Sequence, residues 1–349
     1  MLHIYCILKK ILLIRFSSIG DIVLTTPVVR CLKQQLPEAE LHVLTKPAYR
    51  SIYAANPHVD KVFELVPNWK ALMATLRKEH YDFVVDLHKN WRSWRVRLAL
   101  YRPSAAFPKL DFKKFLYTKL KTGKMPQVHI VDRYFKAVQK LGVQNDGQGL
   151  DFFFNEGDEM HYEDLPESFR DGFVAVVIGG QHATKILPAD KVVEVCEALD
   201  YPVILVGGPE DAARGERIKN KVGSYVGNSC GSLTVGQSAS LLKLADAVLT
   251  NDTGMMHIAA ALRKPIVSVW GNTVPEFGMY QYYPKGSENK LNIIENKDLK
   301  CRPCSKLGYK KCPKGHFKCM QMIDTDKVVS LLRQNVNSTE LEKSPSNKI

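Results

Sequence analysis

The stretch Ala247-Val248-Leu249-Thr250-Asn251-Asp252-Thr253-Gly254-Met255-Met256-His257-Ile258-Ala259-Ala260-Ala261-Leu262 changes patterning twice within a few residues. Ala247 to Thr250 is an uninterrupted apolar run that suits a buried strand, and Ile258 to Leu262 suits a helix. Between them, Asp252-Thr253-Gly254 is turn chemistry. A strand that stops there and turns into a helix leaves backbone N–H groups without partners. In an open α/β sheet that is where a phosphorylated ligand sits. The same residues also read as an ordinary helix cap, with Asp252 or Thr253 as N-cap. The rest of the chain decides between the two.

Upstream of this stretch the alternation repeats. Phe173 to Ile178 reads as a strand, followed by the loop Gly179-Gly180-Gln181-His182-Ala183-Thr184-Lys185 and a helix over Pro188 to Leu199. Pro202 to Val206 is a strand ending at Gly207-Gly208-Pro209-Glu210, with helices over 211–221 and 236–244. Downstream, Pro265 to Trp270 is a further strand and Asp324 to Asn335 a last helix. The first half has the same grammar. Ile11 to Phe16 is a strand, Ser17-Ser18-Ile19-Gly20-Asp21 a turn, and Ile22 to Leu32 a helix. Strands at 41–44, 61–66 and 81–87 alternate with helices at 49–55, 69–79, 93–100 and 128–141. Repeated strand–helix pairs predict parallel sheets covered on both faces.

The expected architecture is therefore α/β, with two Rossmann-like halves facing a cleft. Residues 1–150 form the first domain, 170–323 the second and 324–336 a C-terminal helix, with 337–349 a disordered tail. The polar, glycine-containing stretch Gln144 to Phe169 reads as the linker. Neither half carries G-x-G-x-x-G, which argues against a nicotinamide dehydrogenase.

With 349 residues and 45% hydrophobic content, the chain can bury two cores. No stretch reaches the roughly 18 apolar residues of a membrane span. The apolar start is interrupted by Lys9 and Lys10, unlike a signal peptide, so a cytoplasmic protein is expected, with Met1 to Leu8 a short extension. The formal charge of +13 is unevenly placed. From His88 to Lys136, 13 Lys and Arg face only Asp111 and Asp132; from Lys297 to Lys318, eight face only Asp298. Such concentration suits an anionic partner, or else a solvated basic face. No nucleic-acid-reading motif accompanies it.

Of eight cysteines, Cys6, Cys31, Cys196 and Cys230 lie in apolar or small-residue settings and read as buried thiols. Cys301, Cys304, Cys312 and Cys319 cluster, with His316 among them. The first pair has zinc-ligand spacing and the second does not, so the cluster is compatible with tetrahedral zinc without demanding it; reduced thiols are the alternative.

Three strand ends of the second half carry candidate ligand groups. Lys185 can meet a phosphate as a point charge and Thr184 can donate a hydrogen bond. Glu210 could accept from ribose hydroxyls. Asp252, Thr253, Gly254 and His257 stand where a helix N-terminus favours a diphosphate. In the first half, Asp21 at a strand-to-helix turn is either an N-cap or a general base that deprotonates an acceptor hydroxyl.

Phe16-Ser17-Ser18-Ile19-Gly20-Asp21, Thr184-Lys185, Asp252 to Leu262, and Ile130-Val131-Asp132-Arg133-Tyr134 after His129 together resemble glycosyltransferase family 9, the ADP-heptose:lipopolysaccharide heptosyltransferases, over about residues 10 to 335. The resemblance implies a GT-B fold, with acceptor bound by the first half and nucleotide sugar by the second. It implies inverting, metal-independent transfer of heptose from an ADP-sugar to the lipopolysaccharide inner core, with no cofactor. By position, Asp21 corresponds to the family's catalytic base. Thr184, Lys185, Glu210, Asp252, Thr253, Gly254 and His257 correspond to its donor-binding positions, and Lys185 also stabilises the leaving diphosphate. Met256 stands where many members carry a small polar residue. On the acceptor side we expect Ser18 and Gly20 together with Lys89, Arg92 and Arg95 of the basic block. A lipid-anchored acceptor would also allow weak peripheral contact with the inner membrane. The alternatives are a GT-B enzyme using another nucleotide sugar, an epimerase of the same architecture, or a non-catalytic nucleotide-sugar or lipopolysaccharide binding protein.

Overall fold

The computed structural model describes residues 8–343. The chain divides into two compact units: residues 8–110 with Val128–Asn155, and Asp111–Gln127 with the chain from Glu156 onward.

The first unit is built on a five-stranded parallel sheet. Its strands are β1 (Lys10–Ile14), β2 (Glu40–Thr45), β3 (Lys61–Glu64), β4 (Phe83–Asp86) and β5 (Ser104–Ala106), in the order β3-β2-β1-β4-β5. The apolar run of β1 is buried because β1 lies mid-sheet with layers on both faces; Leu12, Leu13 and Ile14 have no exposed surface. The helix expected over 22–32 is two helices, Ile19–Val23 and Thr26–Gln35. Pro27 explains the break: it has no N–H to continue the first helix, and it sits comfortably in the first turn of the second. The stretch at 144–155, expected as linker, folds onto this unit. Arg30 pairs with Asp146 at 2.7 Å, bonds the Gly149 carbonyl at 3.0 Å and also pairs with Asp151.

The second unit carries a six-stranded parallel sheet in the order β11-β10-β9-β6-β7-β8. Its strands are β6 (Val174–Val177), β7 (Val203–Val206), β8 (Val226–Asn228), β9 (Ala247–Asn251), β10 (Ile266–Trp270) and β11 (Asn292–Glu295). Every residue of β6, β7, β9 and β10 is buried, which accounts for their unbroken apolar runs. In each sheet the chain starts in the middle, runs to one edge, then returns and runs to the other. The switch points therefore lie between β1 and β4 and between β6 and β9.

Two further departures concern the second unit. Asp111–Gln127, which the sequence assigns to the first domain, packs with this unit: Lys121 Nζ donates to the Cys301 carbonyl at 3.1 Å and to that of Pro303, and the Tyr117 and Phe277 rings lie 6.3 Å apart. The last helix runs from Thr325 to Lys343, past Asn335 and into the expected tail. Buried Val336 and a Thr339 Oγ1 hydrogen bond to the Asp246 carbonyl at 3.1 Å hold the extension to the unit. The rest of that tail, and Cys6, lie outside the described residues. Cys31, Cys196 and Cys230 are buried free thiols, as expected.

Candidate functional site

At the first switch point the chain leaves β1 through Arg15. Its guanidinium is nearly enclosed and its donors are spread over four partners. Nη2 meets Asp21 Oδ1 at 2.6 Å, Nε donates to the Ser17 carbonyl at 2.8 Å, and Nη1 donates to the Leu87 carbonyl at 2.5 Å and to Tyr134 Oη at 3.0 Å. Ser18 donates to the other oxygen of Asp21, through its backbone N–H at 3.3 Å and its hydroxyl at 3.0 Å. The N-cap is Ser18 and Asp21 is the third residue of the helix, returning a capping-box bond to Ser18, so Asp21 is not itself the N-cap the sequence offered. The side chain still keeps 25% of its surface exposed. Burial alone would raise the Asp21 pKa; the Arg15 charge and the Ser18 hydrogen bonds outweigh it and hold the carboxyl below its ordinary value. Gly20 is buried inside the short helix.

His88, just after β4, packs against Phe16 with ring centroids 4.8 Å apart and the rings tilted by 55°. Burial, then the nearby Arg15 and Lys109 charges, push its pKa down to about 3, so it is neutral at physiological pH. The basic residues expected near the acceptor differ in placement. Lys89 and Arg92 are exposed, with no acidic partner among the described residues. Arg95 lies over the rings of Trp69 and Trp91, 4.3 and 4.9 Å from their centroids.

At the second switch point, β6 and β9 deliver their loops side by side. Lys185 Nζ meets Asp252 Oδ2 at 2.6 Å, and Thr273 Oγ1, after β10, donates to the same carboxylate oxygen at 2.7 Å. Asn251, the last residue of β9, fastens the two loops together. Its Oδ1 accepts from the Leu187 N–H at 3.0 Å, and its Nδ2 donates to the Val177 carbonyl at 3.2 Å. Thr253 is the N-cap of the helix Gly254–Ala261, without a side-chain capping bond, and His257 lies buried inside that helix. Met256 is fully buried and therefore belongs to the core.

Two expected donor residues sit differently from the simplest picture. Thr184 is buried, and its hydroxyl is engaged with Tyr309, accepting from that residue's N–H at 2.8 Å and donating to its carbonyl at 3.2 Å. The hydroxyl thus fastens the loop instead of standing free. Glu210 is exposed after β7, while its neighbour Asp211 is the buried acid. Asp211 accepts from the Gly208 N–H at 3.0 Å and pairs with Arg214 at 2.6 Å. A Cβ on Gly179 would come within 2.6 Å of an Asp211 oxygen, so only glycine lets the Lys185 loop pass there.

The cysteine-rich segment is anchored to the same strand ends. Arg302 pairs with Glu295 at 2.8 Å and donates to the carbonyls of Gly271 at 2.5 Å and Thr273 at 2.9 Å; the Cys304 N–H reaches the Asn272 carbonyl at 3.2 Å. Cys301 Sγ lies 3.9 Å from His316 Nε2. Among the described residues, no three His, Cys, Asp or Glu side chains are arranged to hold a metal. Burial pushes the Cys304 thiol up and the Cys319 thiol to about 11. As arranged, the segment does not fit a metal, and we derive no step through one.

Sequence reasoning missed Arg15, Asn251, Asp211 and Thr273. For Arg15 and Asn251 the available signal was a polar residue at the end of an otherwise apolar strand; Asp211 and Thr273 lie beyond the ends of β7 and β10 and carry no such signal.

The model of the glycosyltransferase family 9 (heptosyltransferase) matches residues 69–313, well over half of the chain. The chain belongs to that family. It is 26% identical over 287 residues to lipopolysaccharide heptosyltransferase 3 of Escherichia coli (strain K12), covering 73% of this chain and 80% of that protein. It is 24% identical over 326 residues to lipooligosaccharide heptosyltransferase 2 of Haemophilus influenzae, covering 86% and 93%. The structure of E. coli ADP-heptose lps heptosyltransferase II superposes with a TM-score of 0.70 at 21% identity, over 95% of this chain and 100% of that one. The family 9 protein thus has the GT-B-like two-domain α/β fold, as its motifs led us to expect. No described helix is long and apolar enough to cross a membrane.

Proposed function

We propose that this family 9 glycosyltransferase moves heptose from ADP-heptose to the inner core of lipopolysaccharide, with inversion at the anomeric carbon. The observation that carries the reading is the Lys185–Asp252 pair at a helix N-terminus beside the switch point, with Thr273 on the same carboxylate. An ammonium stands beside the start of a helix there, where the first N–H groups have no intrahelical acceptor, a combination that suits a diphosphate. The second unit takes the nucleotide sugar through Lys185, Asp252, Thr253, Gly254, His257 and Glu210, with Thr184 fixing the loop. The first unit takes the acceptor through Ser18, Gly20, Lys89, Arg92 and Arg95.

The reaction is a direct displacement. As the acceptor oxygen bonds to the anomeric carbon, the bond from that carbon to the diphosphate oxygen breaks, Asp21 takes the hydroxyl proton, and ADP leaves. Lys185 and the N–H groups of the Gly254 helix offset the charge growing on the diphosphate, so neither metal nor cofactor is required. The low pKa of Asp21 keeps it ionised and makes it a weak base, so positioning carries much of the rate enhancement. The enzyme works in the cytoplasm, in peripheral contact with the inner membrane that holds its acceptor.

Incubation with ADP-heptose and truncated lipopolysaccharide acceptors in excess chelator tests this. The expected result is one added heptose by mass spectrometry, with the opposite anomeric configuration by NMR. Turnover only with another nucleotide sugar, or only after metal is restored, would overturn the corresponding part.

A further inference from the structure

The helix Trp91–Leu100 of the first unit has two apolar faces. Its inner face, Val96 and Leu100 with Ser93, is buried against the sheet. Its outer face carries Trp91, Trp94 and Leu98, and Tyr101 follows at the C-cap; these are 63%, 50%, 56% and 94% exposed. At 3.6 residues per turn these positions fall within one narrow stripe. A soluble surface rarely leaves two tryptophans, a leucine and a tyrosine side by side in water without a use for them.

The charge around the stripe selects the occupant. From Leu87 to Leu110 the chain has Lys89, Arg92, Arg95, Arg97, Arg102 and Lys109 and no acid. Beside the stripe, a hollow of about 340 Å³ is lined by Trp94, Leu98 and Tyr101 together with Arg97 and Arg102. A second copy of the chain is a poor match, because a twofold contact would bring arginine flanks together with no acid between them. Indole and phenol rings with guanidinium groups at their edges are the composition of a bilayer's interfacial zone, where rings sit at headgroup depth and cations meet lipid phosphate.

We propose that the outer face of this helix, Trp91, Trp94, Leu98 and Tyr101 with Arg97 and Arg102 beside them, docks the protein on a bilayer surface rich in anionic phospholipid. This deepens the membrane contact in the proposed function by naming its surface. The test needs no sugar substrate, so its failure is distinguishable from failure of the transferase reading.

The full chain is mixed with phosphatidylcholine vesicles with and without phosphatidylglycerol, and binding is read by flotation and tryptophan emission. Binding only to the anionic vesicles, with blue-shifted emission quenched by brominated lipid, is expected. The Leu98→Ser/Tyr101→Ser variant should partition about tenfold more weakly, since each residue loses interfacial apolar area. Its turnover on a delipidated acceptor should be unchanged. Should that variant misfold, Arg102→Glu keeps the stripe and should remove the preference for anionic vesicles. The proposal is overturned if the wild type ignores anionic vesicles, or if folded variants bind them as it does. It is equally overturned if the substitutions dissolve a dimer while leaving vesicle binding intact.

Discussion

The two switch points use the same device with opposite emphasis. Each sets a cation against an aspartate at 2.6 Å where a strand gives way to a helix: Arg15 with Asp21 in the first unit, Lys185 with Asp252 in the second. The Arg15 side chain is 8% exposed and already serves three further acceptors, so its charge is fixed in place and acts on Asp21. The Lys185 side chain is 18% exposed and, among the described residues, spends its ammonium on Asp252, through a carboxylate oxygen and, at 3.4 Å, the carbonyl. It keeps donor capacity for a ligand. In the proposed reaction the first pair tunes a carboxylate and the second is shared with an incoming anion.

Replacing Asp21 by Asn is the harshest challenge to that contrast. It keeps the shape and removes the proton acceptor, so kcat should fall by about 10²- to 10⁴-fold, while ADP affinity measured by calorimetry stays as in the wild type. If turnover survives, Asp21 serves only to return the capping-box bond to Ser18.

Lys185→Ala attacks the other pair. Loss of one charge-assisted contact to the diphosphate should weaken ADP binding by about 10- to 100-fold, the equivalent of roughly 1.5–3 kcal/mol. Vesicle binding should move little, while the melting temperature should fall because buried Asp252 loses its ammonium partner. An unchanged ADP affinity would place the diphosphate elsewhere.

These two targets also mark how far the sequence could be read. The apolar runs of β1, β6, β9 and β10 announce a doubly wound fold because buried parallel strands have no polar face to interrupt them. β5, β8 and β11 escape notice: Ser104-Ala105-Ala106 and Val226-Gly227-Asn228 are only three residues long, and Asn292-Ile293-Ile294-Glu295 is a half-buried edge strand with a polar residue at each end. Asp21, Lys185 and Asp252 stand out as charges at turns. Arg15 does not, because an arginine ending an apolar strand is intelligible only once Leu87, Tyr134 and Asp21 surround it, and these are distant in sequence. The docking of Asp111–Gln127 on the second unit is hidden for the same reason, since it runs through the backbone carbonyls of Cys301 and Pro303.

Arg15→Gln sharpens the first pair. With the charge gone, burial acts on Asp21 without its main opponent and the carboxyl pKa should rise. In the wild type the base form persists below the ordinary carboxylate pKa of about 3.9, so the acid limb of kcat/KM should lie low. In the variant that limb should move to higher pH. The stability linkage has the same sign: a depressed carboxyl contributes stability that is present above its unfolded pKa and lost as pH falls through the folded value. Acid unfolding of Arg15→Gln should accordingly begin at higher pH. An acid limb that stays in place would mean that Asp21 is not the group titrating.

The smallest expected effect separates sharing from tuning most finely. Thr273 is buried and donates to the same Asp252 oxygen that holds Lys185. While the hydroxyl satisfies part of that oxygen, the carboxylate grips the ammonium less tightly than it otherwise could. Thr273→Val keeps the volume and removes the donor, so Asp252 should hold Lys185 more firmly and ADP should bind a few-fold more weakly, a cost of about 1 kcal/mol or less. Because the hydroxyl acts through Lys185, the effect should vanish in a Lys185→Ala background. An equal loss in both backgrounds would mean that Thr273 touches the nucleotide itself, and the second pair would then be a fixed cradle like the first.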